Sequence, residues 1–216
     1  MKTEYLKEID NSVAIGRFIT AYFKDYITEN SEYFWSIQLI LRSKDNAELT
    51  RLLNKNGGNT NRPFLELFIH NEEELNNKME LIRRICDATG ARAYINLTPK
   101  SYKKVARQAL YKITDAVCSD NWKAAKRAYW SATGSTLGEK KLFLLDIDTY
   151  EGEDVAEVAK TLETIFDSEV ILLSLPTKGG WHLICKPFDT MKFGKEWPGI
   201  KVLKNTPTLL YFNYTL

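Results

Sequence analysis

The sequence predicts an α+β fold for this chain of 216 residues. Three observations predict it: helical and β-type runs alternate in the first half, a cationic helical stretch occupies the middle, and short β-type runs dominate the last third. The chain is 44% hydrophobic and 27% charged, which is typical of a globular protein and excludes a disordered or fibrous one. We expect segments 1–98, 99–140 and 141–216 to form one compact unit.

The first segment is predicted to be an alternating α/β module. Amphipathic periodicity marks its helices, and aromatic or β-branched runs mark its strands. Asn11 or Ser12 is a suitable N-cap for the first helix, and Gly90 suits the end of the second. The predicted elements, in order, are a helix over 12–28, a strand over 33–42, a loop over 54–63, a strand over 64–70, a helix over 72–89 and a strand over 91–97.

The middle segment is predicted to hold two cationic helices. The whole chain has 30 Lys and Arg against 28 Asp and Glu, so its total charge indicates no partner. From 92 to 141, however, eleven Lys or Arg face three Asp or Glu, and this excess suits a polyanion. The first helix, over 100–115, has one apolar stripe consisting of Tyr102, Val105, Ala109, Leu110 and Ile113. The second helix starts near Ser119 or Asp120 and continues to Trp130.

The last segment is predicted to be rich in strands. A turn of Lys178, Gly179 and Gly180 joins two of these strands, most simply as a hairpin. The predicted elements, in order, are a strand over 141–147, a helix over 153–166, and strands over 170–175, 181–185 and 208–212.

Asp146 and Asp148 end the first strand of this segment. Side chains alternate along a strand, so both carboxylates point the same way while Leu145 and Ile147 point into the core. Two such carboxylates either repel each other, which raises one pKa, or share a hard divalent cation such as Mg²⁺ or Mn²⁺. The pair therefore predicts a metal site. The alternative is that both acids merely end the strand and cap the following turn.

His182 follows on a later strand, directly after the Lys-Gly-Gly turn. By itself it is typical of a half-buried strand histidine that is bonded to a backbone carbonyl. A Lys-Gly-Gly turn can present backbone N–H groups to an anion. In combination with Asp146 and Asp148, this motif predicts a site for a metal-complexed phosphate.

The order of these motifs resembles the catalytic core of the archaeo-eukaryotic primase superfamily, which includes primase-polymerases of plasmids, phages and CRISPR-associated systems. The likeness spans about 142–212 and rests on the Asp-x-Asp strand and the later Gly-Gly-Trp-His motif. It implies an RRM-like, mixed or antiparallel sheet core beside the N-terminal module, with catalytic Asp146, Asp148 and His182. The implied metal is Mg²⁺ or Mn²⁺, held by the two aspartates. The implied nucleotide-binding residues are Lys178, Gly179, Gly180 and His182.

The resemblance implies a nucleotidyltransferase of DNA replication that adds nucleotides from nucleoside triphosphates to a template-bound strand. A single-stranded or primed DNA template would be its second substrate, and a separate helicase or accessory primase subunit its partner. The cationic residues suit such a strand through phosphate contacts, although a solvated helix face has the same composition. The predicted nucleic-acid-binding residues are Arg62, Lys103, Lys104, Arg107, Lys123, Lys126 and Arg127.

The sequence departs from the family in its third motif, a hydrophobic residue followed by an acid on a subsequent strand. The stretch 200–211 contains no Asp or Glu, while Phe188 and Asp189 have the right residue types. Either Asp189 completes the metal site, or the chain is a non-catalytic nucleic-acid-binding replication protein that keeps the same fold.

A phosphatase of the haloacid-dehalogenase type is a lesser alternative, because such enzymes also begin with a hydrophobic strand and Asp-x-Asp. Tyr150 stands where they need a small hydroxyl residue. The three cysteines lack a C-x-x-C spacing, which fits a reducing compartment. No segment approaches the ~20 apolar residues of a membrane span. We expect a soluble cytoplasmic protein without a membrane partner.

Overall fold

The computed structural model describes residues 8–28, 31–42, 45, 51, 63–148 and 154–213. These residues form helices and two antiparallel sheets, which confirms the predicted α+β class. Arg62 and positions 54–62 of the predicted loop lie outside the described residues.

The strands are β1 (Glu8–Asp10), β2 (Tyr33–Ile40), β3 (Pro63–Ile69), β4 (Arg92–Ile95), β5 (Lys100–Ser101), β6 (Phe143–Asp148), β7 (Ile171–Pro176), β8 (Gly180–Cys185), β9 (Lys201–Lys204) and β10 (Thr208–Asn213). The helices are α1 (Ser12–Tyr22), α2 (Glu72–Thr89), α3 (Tyr102–Cys118), α4 (Trp122–Lys126), α5 (Ala128–Ser135), α6 (Val155–Ile165) and α7 (Thr190–Glu196), with a 3-10 turn at Lys24–Tyr26. The second cationic helix is therefore two short helices that are separated at Arg127.

The first sheet has the strand order β1-β10-β4-β2-β3, with β5 also paired to β2. Its strands come from both ends of the chain, because β10 lies between β1 and β4. The last segment of the sequence is thus divided between the two sheets. This return of the chain brings β10 next to the second sheet.

The second sheet has the strand order β7-β8-β6-β9, and every pair is antiparallel. Along the chain its elements run β6-α6-β7-β8-α7-β9. This is the β-α-β-β-α-β order of a ferredoxin-like unit, in which two helices cover one face of a four-stranded sheet. Leu145 and Ile147 of β6 are fully buried on that face, in a cluster with Val158 and Leu162 of α6 and Phe193 of α7.

The opposite face of the second sheet shares a core with the first sheet. Leu144, Leu175 and Ile184 lie in one buried cluster with Trp35 and Ile37 of β2. Buried side chains of α1, α2 and β4 belong to the same cluster: Ile15, Phe18 and Ile19, Leu75, Met79 and Ile82, and Ala93 and Ile95. One continuous core therefore joins the two sheets.

Helices α3 and α5 pack on the other side of the first sheet, where Val105, Ala109 and Ala132 bury Phe34. The predicted apolar stripe of α3 is correct for Val105 and Ala109 but wrong for Leu110 and Ile113, which are 64% and 41% exposed. Helix α3 packs chiefly on the short helices α4 and α5, and Ala109 is the last of its buried residues in the cluster around Phe34 of the sheet.

Candidate functional site

Strand β6 places Asp146 and Asp148 on one face of the second sheet. Leu145 and Ile147 alternate with them and are fully buried, as the period of two predicts. The Asp146 side chain is 57% exposed. The predicted orientation of the acid pair is therefore confirmed, and the face that carries it is open to a ligand.

His182 lies directly across from Asp146, because β8 pairs with β6 in antiparallel register. Its Nε2 atom is 3.4 Å from Oδ1 of Asp146. Its Nδ1 atom is hydrogen-bonded to Oγ1 of Thr208, at 2.8 Å. Thr208 is fully buried at the start of β10, in the first sheet. The imidazole thus bridges the acid pair of one sheet and a hydroxyl of the other.

The surroundings of Asp146 keep it ionised. Hydrogen bonding to His182 is the strongest influence and lowers the pKa of the Asp146 carboxyl below its ordinary value of 3.8. The charges of His182, Arg42 and Lys201 lower this pKa further, while burial opposes them. A carboxyl group with a lowered pKa is a carboxylate at neutral pH, which is the form that binds a cation.

A cavity of about 210 Å³ lies between the two sheets and contains the acid pair. Asp146, Asp148 and His182 line it from the second sheet. Further residues of both sheets and of their connections complete the lining, and three of the lining residues are cations: Arg42, Arg92 and Lys178. The cavity therefore combines carboxylates, which suit a metal ion, with cations, which suit an anionic ligand.

Asp45 connects two of these cations, Arg92 and Lys178. Nε and Nη2 of Arg92 donate to its carboxylate at 2.7 and 2.8 Å, and Nζ of Lys178 lies 3.3 Å from it. Burial alone would raise the pKa of Asp45, but the hydrogen bond from Arg92 and the charges of Arg92 and Lys178 bring it below its ordinary value. Arg92 begins β4 in the first sheet, and Lys178 precedes β8 in the second. Asp45 therefore ties together residues from both sheets.

The predicted hairpin is confirmed, since β7 and β8 are antiparallel neighbours. Lys178 and Gly179 of its turn line the cavity. The N–H of Gly180 donates to the hydroxyl of Thr177 at 3.1 Å. The turn thus contributes a cation to the cavity, while the N–H of Gly180 has an internal partner.

The structure does not bring Asp189 to the cavity. Its carboxylate caps α7 and accepts hydrogen bonds from the N–H groups of Met191 and Lys192. It follows the end of β8 at Cys185, which pairs with Phe143 at the far end of β6 from Asp148. In the part of the chain that the structure describes, no three His, Cys, Asp or Glu side chains are grouped to hold a metal. Residues 149–153, which include Glu151 and Glu153, lie outside that part.

The two carboxylates nevertheless fit Mg²⁺ or Mn²⁺. Mg²⁺ is commonly bound through one or two carboxylates, with waters and substrate phosphates as the other ligands. Asp146 and Asp148 are two such carboxylates, and cations line the same cavity. A metal that arrives together with a phosphate ligand therefore suits this set of residues better than a metal held by protein side chains alone.

The cationic helices lie apart from this cavity. The six predicted nucleic-acid-binding residues that the structure describes are all exposed, and none lines the cavity: Lys103, Lys104, Arg107, Lys123, Lys126 and Arg127. Lys104 is paired with Glu139 at 2.8 Å. The predicted residues thus form two separate regions, a cavity and a helical surface.

Sequence reasoning missed Arg42, Arg92, Asp45 and Thr208. Arg42 and Arg92 lie at the ends of predicted strands, and that position was the available signal. Thr208 and Asp45 had no such signal, because their partners are far away in the chain. Their roles depend on which strands become neighbours.

No family model, curated protein or solved structure matches this chain. The fold and the site therefore define its class by themselves: an α+β protein with a charged cavity between two antiparallel sheets. Among the described residues, no helix is both long and apolar enough to span a bilayer.

Proposed function

We propose that this chain is a metal-dependent nucleotidyltransferase of DNA replication, of the primase or primase-polymerase type. The observation that carries the proposal is the placement of Asp146 and Asp148 beside His182, in one cavity with Arg42, Arg92 and Lys178. The substrates would be a nucleoside triphosphate and a single-stranded or primed DNA template. The β-α-β-β-α-β sheet beside a second α/β region supports the resemblance that the motifs indicate.

Asp146 and Asp148 would hold Mg²⁺ or Mn²⁺ on the open face of β6. The bound ion would neutralise charge on the triphosphate and orient the attacking 3′-hydroxyl. Asp146 is a carboxylate at neutral pH, the form that binds a cation, and its lowered pKa extends that form to more acidic pH.

His182 and the cations would bind the phosphates. Thr208 fixes the ring of His182 through Nδ1, which leaves Nε2 directed towards the acid pair. Arg92 is oriented by its two hydrogen bonds to Asp45, and its guanidinium lies 4.5 Å from the ring centre of Phe212. A guanidinium oriented in this way can bind an anion with little loss of side-chain entropy.

A non-catalytic nucleic-acid-binding replication protein is the second candidate. The position of Asp189 favours it, because a third carboxylate is missing from the described lining of the cavity. The two candidates differ in whether a metal and a nucleotide bind together at β6.

Calorimetric titration of Mn²⁺ with a deoxynucleoside triphosphate tests the proposal. We expect the wild type to bind the nucleotide only with metal, and the Asp146→Asn/Asp148→Asn variant to lose at least about 100-fold in affinity, since both charged ligands are removed. Asp189→Asn is the matched control: it also removes a carboxylate, but asparagine caps a helix equally well, so binding should be unchanged.

Two results would contradict the proposal. If the wild type binds no metal-nucleotide complex, the chain is the non-catalytic protein. If the double variant binds as tightly as the wild type, the nucleotide site lies elsewhere. When binding depends on both aspartates, extension of a primed DNA template by wild type and double variant then tests the transfer reaction itself.

A further inference from the structure

The helical surface formed by α3, α4, α5 and the residues just after α5 exposes an unusual amount of apolar area. Of the twelve large hydrophobic side chains that are exposed in the described residues, eight belong to it: Leu110, Tyr111, Ile113, Val117, Trp122, Tyr129, Trp130 and Leu137. Trp122 is 62% exposed, Trp130 49% and Tyr111 72%. Exposed apolar residues that concentrate in one region mark an interaction site more often than a solvated face.

Cations are interleaved with these aromatic side chains. Lys112 follows Tyr111, Lys123 follows Trp122, and Arg127 precedes Tyr129 by two residues. From 102 to 139 the chain has seven Lys or Arg and three acids, Asp115, Asp120 and Glu139, of which Glu139 is paired with Lys104. The surface therefore carries a strong positive excess and complements a polyanion.

The outward face of α3 shows the same combination. Residues three and four apart are neighbours on a helix surface, and a stripe with the spacing 4-3-4-3 runs along α3. Its members, all exposed, are Lys103, Arg107, Leu110, Thr114 and Val117. Cations occupy the first half of this stripe, and the second half has the apolar Leu110 and Val117 with Thr114 between them. Val117 lies close to the end of α3, just before the turn that leads to Trp122.

We propose that this helical surface binds a single strand of nucleic acid, with unpaired bases stacked on Trp122, Trp130 and Tyr111 and phosphates bound by the neighbouring cations. Stacking is open only to unpaired bases, because a duplex hides the faces of its bases. A positive excess with few acids favours a polyanion over a protein surface of mixed charge, which would leave some of the buried cations without a counter-charge. The assignment of the strand as a template rests on the proposed function.

The experiment measures binding of oligodeoxythymidylate and of a duplex of equal length over a range of salt concentrations. We expect the single strand to bind more tightly than the duplex and to quench tryptophan fluorescence. Trp122→Ala/Trp130→Ala should weaken single-strand binding by about 10-fold or more for each base that loses its stacking partner. The slope of log K against log salt should be unchanged in this variant. Lys103→Ala/Arg107→Ala should instead flatten the slope of log K against log salt by about 1.4, the value for two phosphate contacts.

Controls on other surfaces separate these effects from general ones. Arg84→Ala/Lys195→Ala removes two exposed cations from α2 and α7, and Phe64→Ala removes a 41% exposed aromatic from β3. Both should bind like the wild type. Because the substituted side chains are exposed, circular dichroism should show the same folded content in all variants.

The inference is overturned if the wild type binds no oligonucleotide, if duplex and single strand bind equally, or if the tryptophan variant behaves like Phe64→Ala; a protein partner would then be the better explanation. The Asp146→Asn/Asp148→Asn variant should bind oligonucleotide like the wild type. Wild type that binds oligonucleotide but no Mn²⁺-nucleotide complex contradicts the proposed function and leaves this inference standing. The reverse pattern contradicts the inference alone.

Discussion

At the residue scale, His182 is oriented by a hydroxyl that lies 26 positions further along the chain. Thr208→Val keeps the shape of the side chain but removes its hydroxyl, so Nδ1 of His182 loses its partner. We expect about tenfold weaker binding of the Mn²⁺-nucleotide complex, the size typical for partners that orient a ligand. Calorimetry checks this, with Thr133→Val as control, because the hydroxyl of that buried threonine donates to the carbonyl of Tyr129, outside the cavity lining. Equal affinity in wild type and Thr208→Val would show that the hydroxyl does not position the histidine.

The lowered pKa of Asp146 predicts a pH dependence of stability. The folded state favours the ionised carboxyl, so this contribution is present above the ordinary pKa of 3.8 and is lost as the pH falls through the lower folded value. We expect the free energy of unfolding to fall more steeply below about pH 4 in wild type than in Asp146→Asn, which has no such proton to bind. Urea unfolding at several pH values measures this free energy for both proteins. If it falls equally with pH in wild type and in Asp146→Asn, the expected effect is contradicted.

At the scale of elements, the segment after α5 must pass close to the first sheet. A Cβ atom added to Gly138 would lie 2.0 Å from Oγ1 and 2.4 Å from Cβ of Thr98, which is 1% exposed. Gly138→Ala should therefore lower the free energy of unfolding by about 1–3 kcal/mol, as overpacking does. Gly134→Ala is the matched control, because nothing lies within 4 Å of its added Cβ and alanine favours the helix α5 by up to about 1 kcal/mol. Urea unfolding of both variants measures the difference. Equal urea midpoints for Gly138→Ala and Gly134→Ala would mean that the contact with Thr98 relaxes freely.

The element scale also shows where sequence patterns succeed. Helix α2 ends at Gly90 as predicted, and that glycine has φ 68°, which is the left-handed conformation that favours glycine. The pattern failed on α3, where Leu110 and Ile113 fit the apolar period but are exposed. Periodicity predicts which residues share a face, but it does not say how far along a helix the neighbouring sheet extends.

At the scale of the whole molecule, the two sheets unfold together if they share one core. Leu144 of β6 is 3% exposed and lies in the cluster that contains Trp35 of β2. Leu144→Ala should lower the free energy of unfolding by about 2–5 kcal/mol while unfolding stays a single transition. Far-ultraviolet circular dichroism and tryptophan fluorescence should give the same midpoint, and Leu81→Ala, at a 49% exposed position, should change stability little. Two separate transitions would show that the sheets are independent units.

The candidate site was predicted in part. Asp146, Asp148 and His182 are neighbours as expected, and the hairpin turn brings Lys178 into the same cavity. The possible third acid, Asp189, caps α7 instead, because the two N–H groups at the start of that helix need an acceptor. The cationic helices, which were predicted to bind the nucleic-acid strand, form a surface separate from this cavity, and their binding role stays a prediction.

Local sequence patterns were sufficient to predict three features: which residues alternate on β6, where α2 ends, and which turn joins β7 to β8. These depend on neighbours within a few positions, so composition and spacing contain the information. The packing of the sheets was needed to show that Arg42 and Arg92 share a cavity with Asp146, and that Thr208 is hydrogen-bonded to His182. Those contacts join residues far apart in the chain. They depend on the order of the strands, which results from the packing of two sheets around one core.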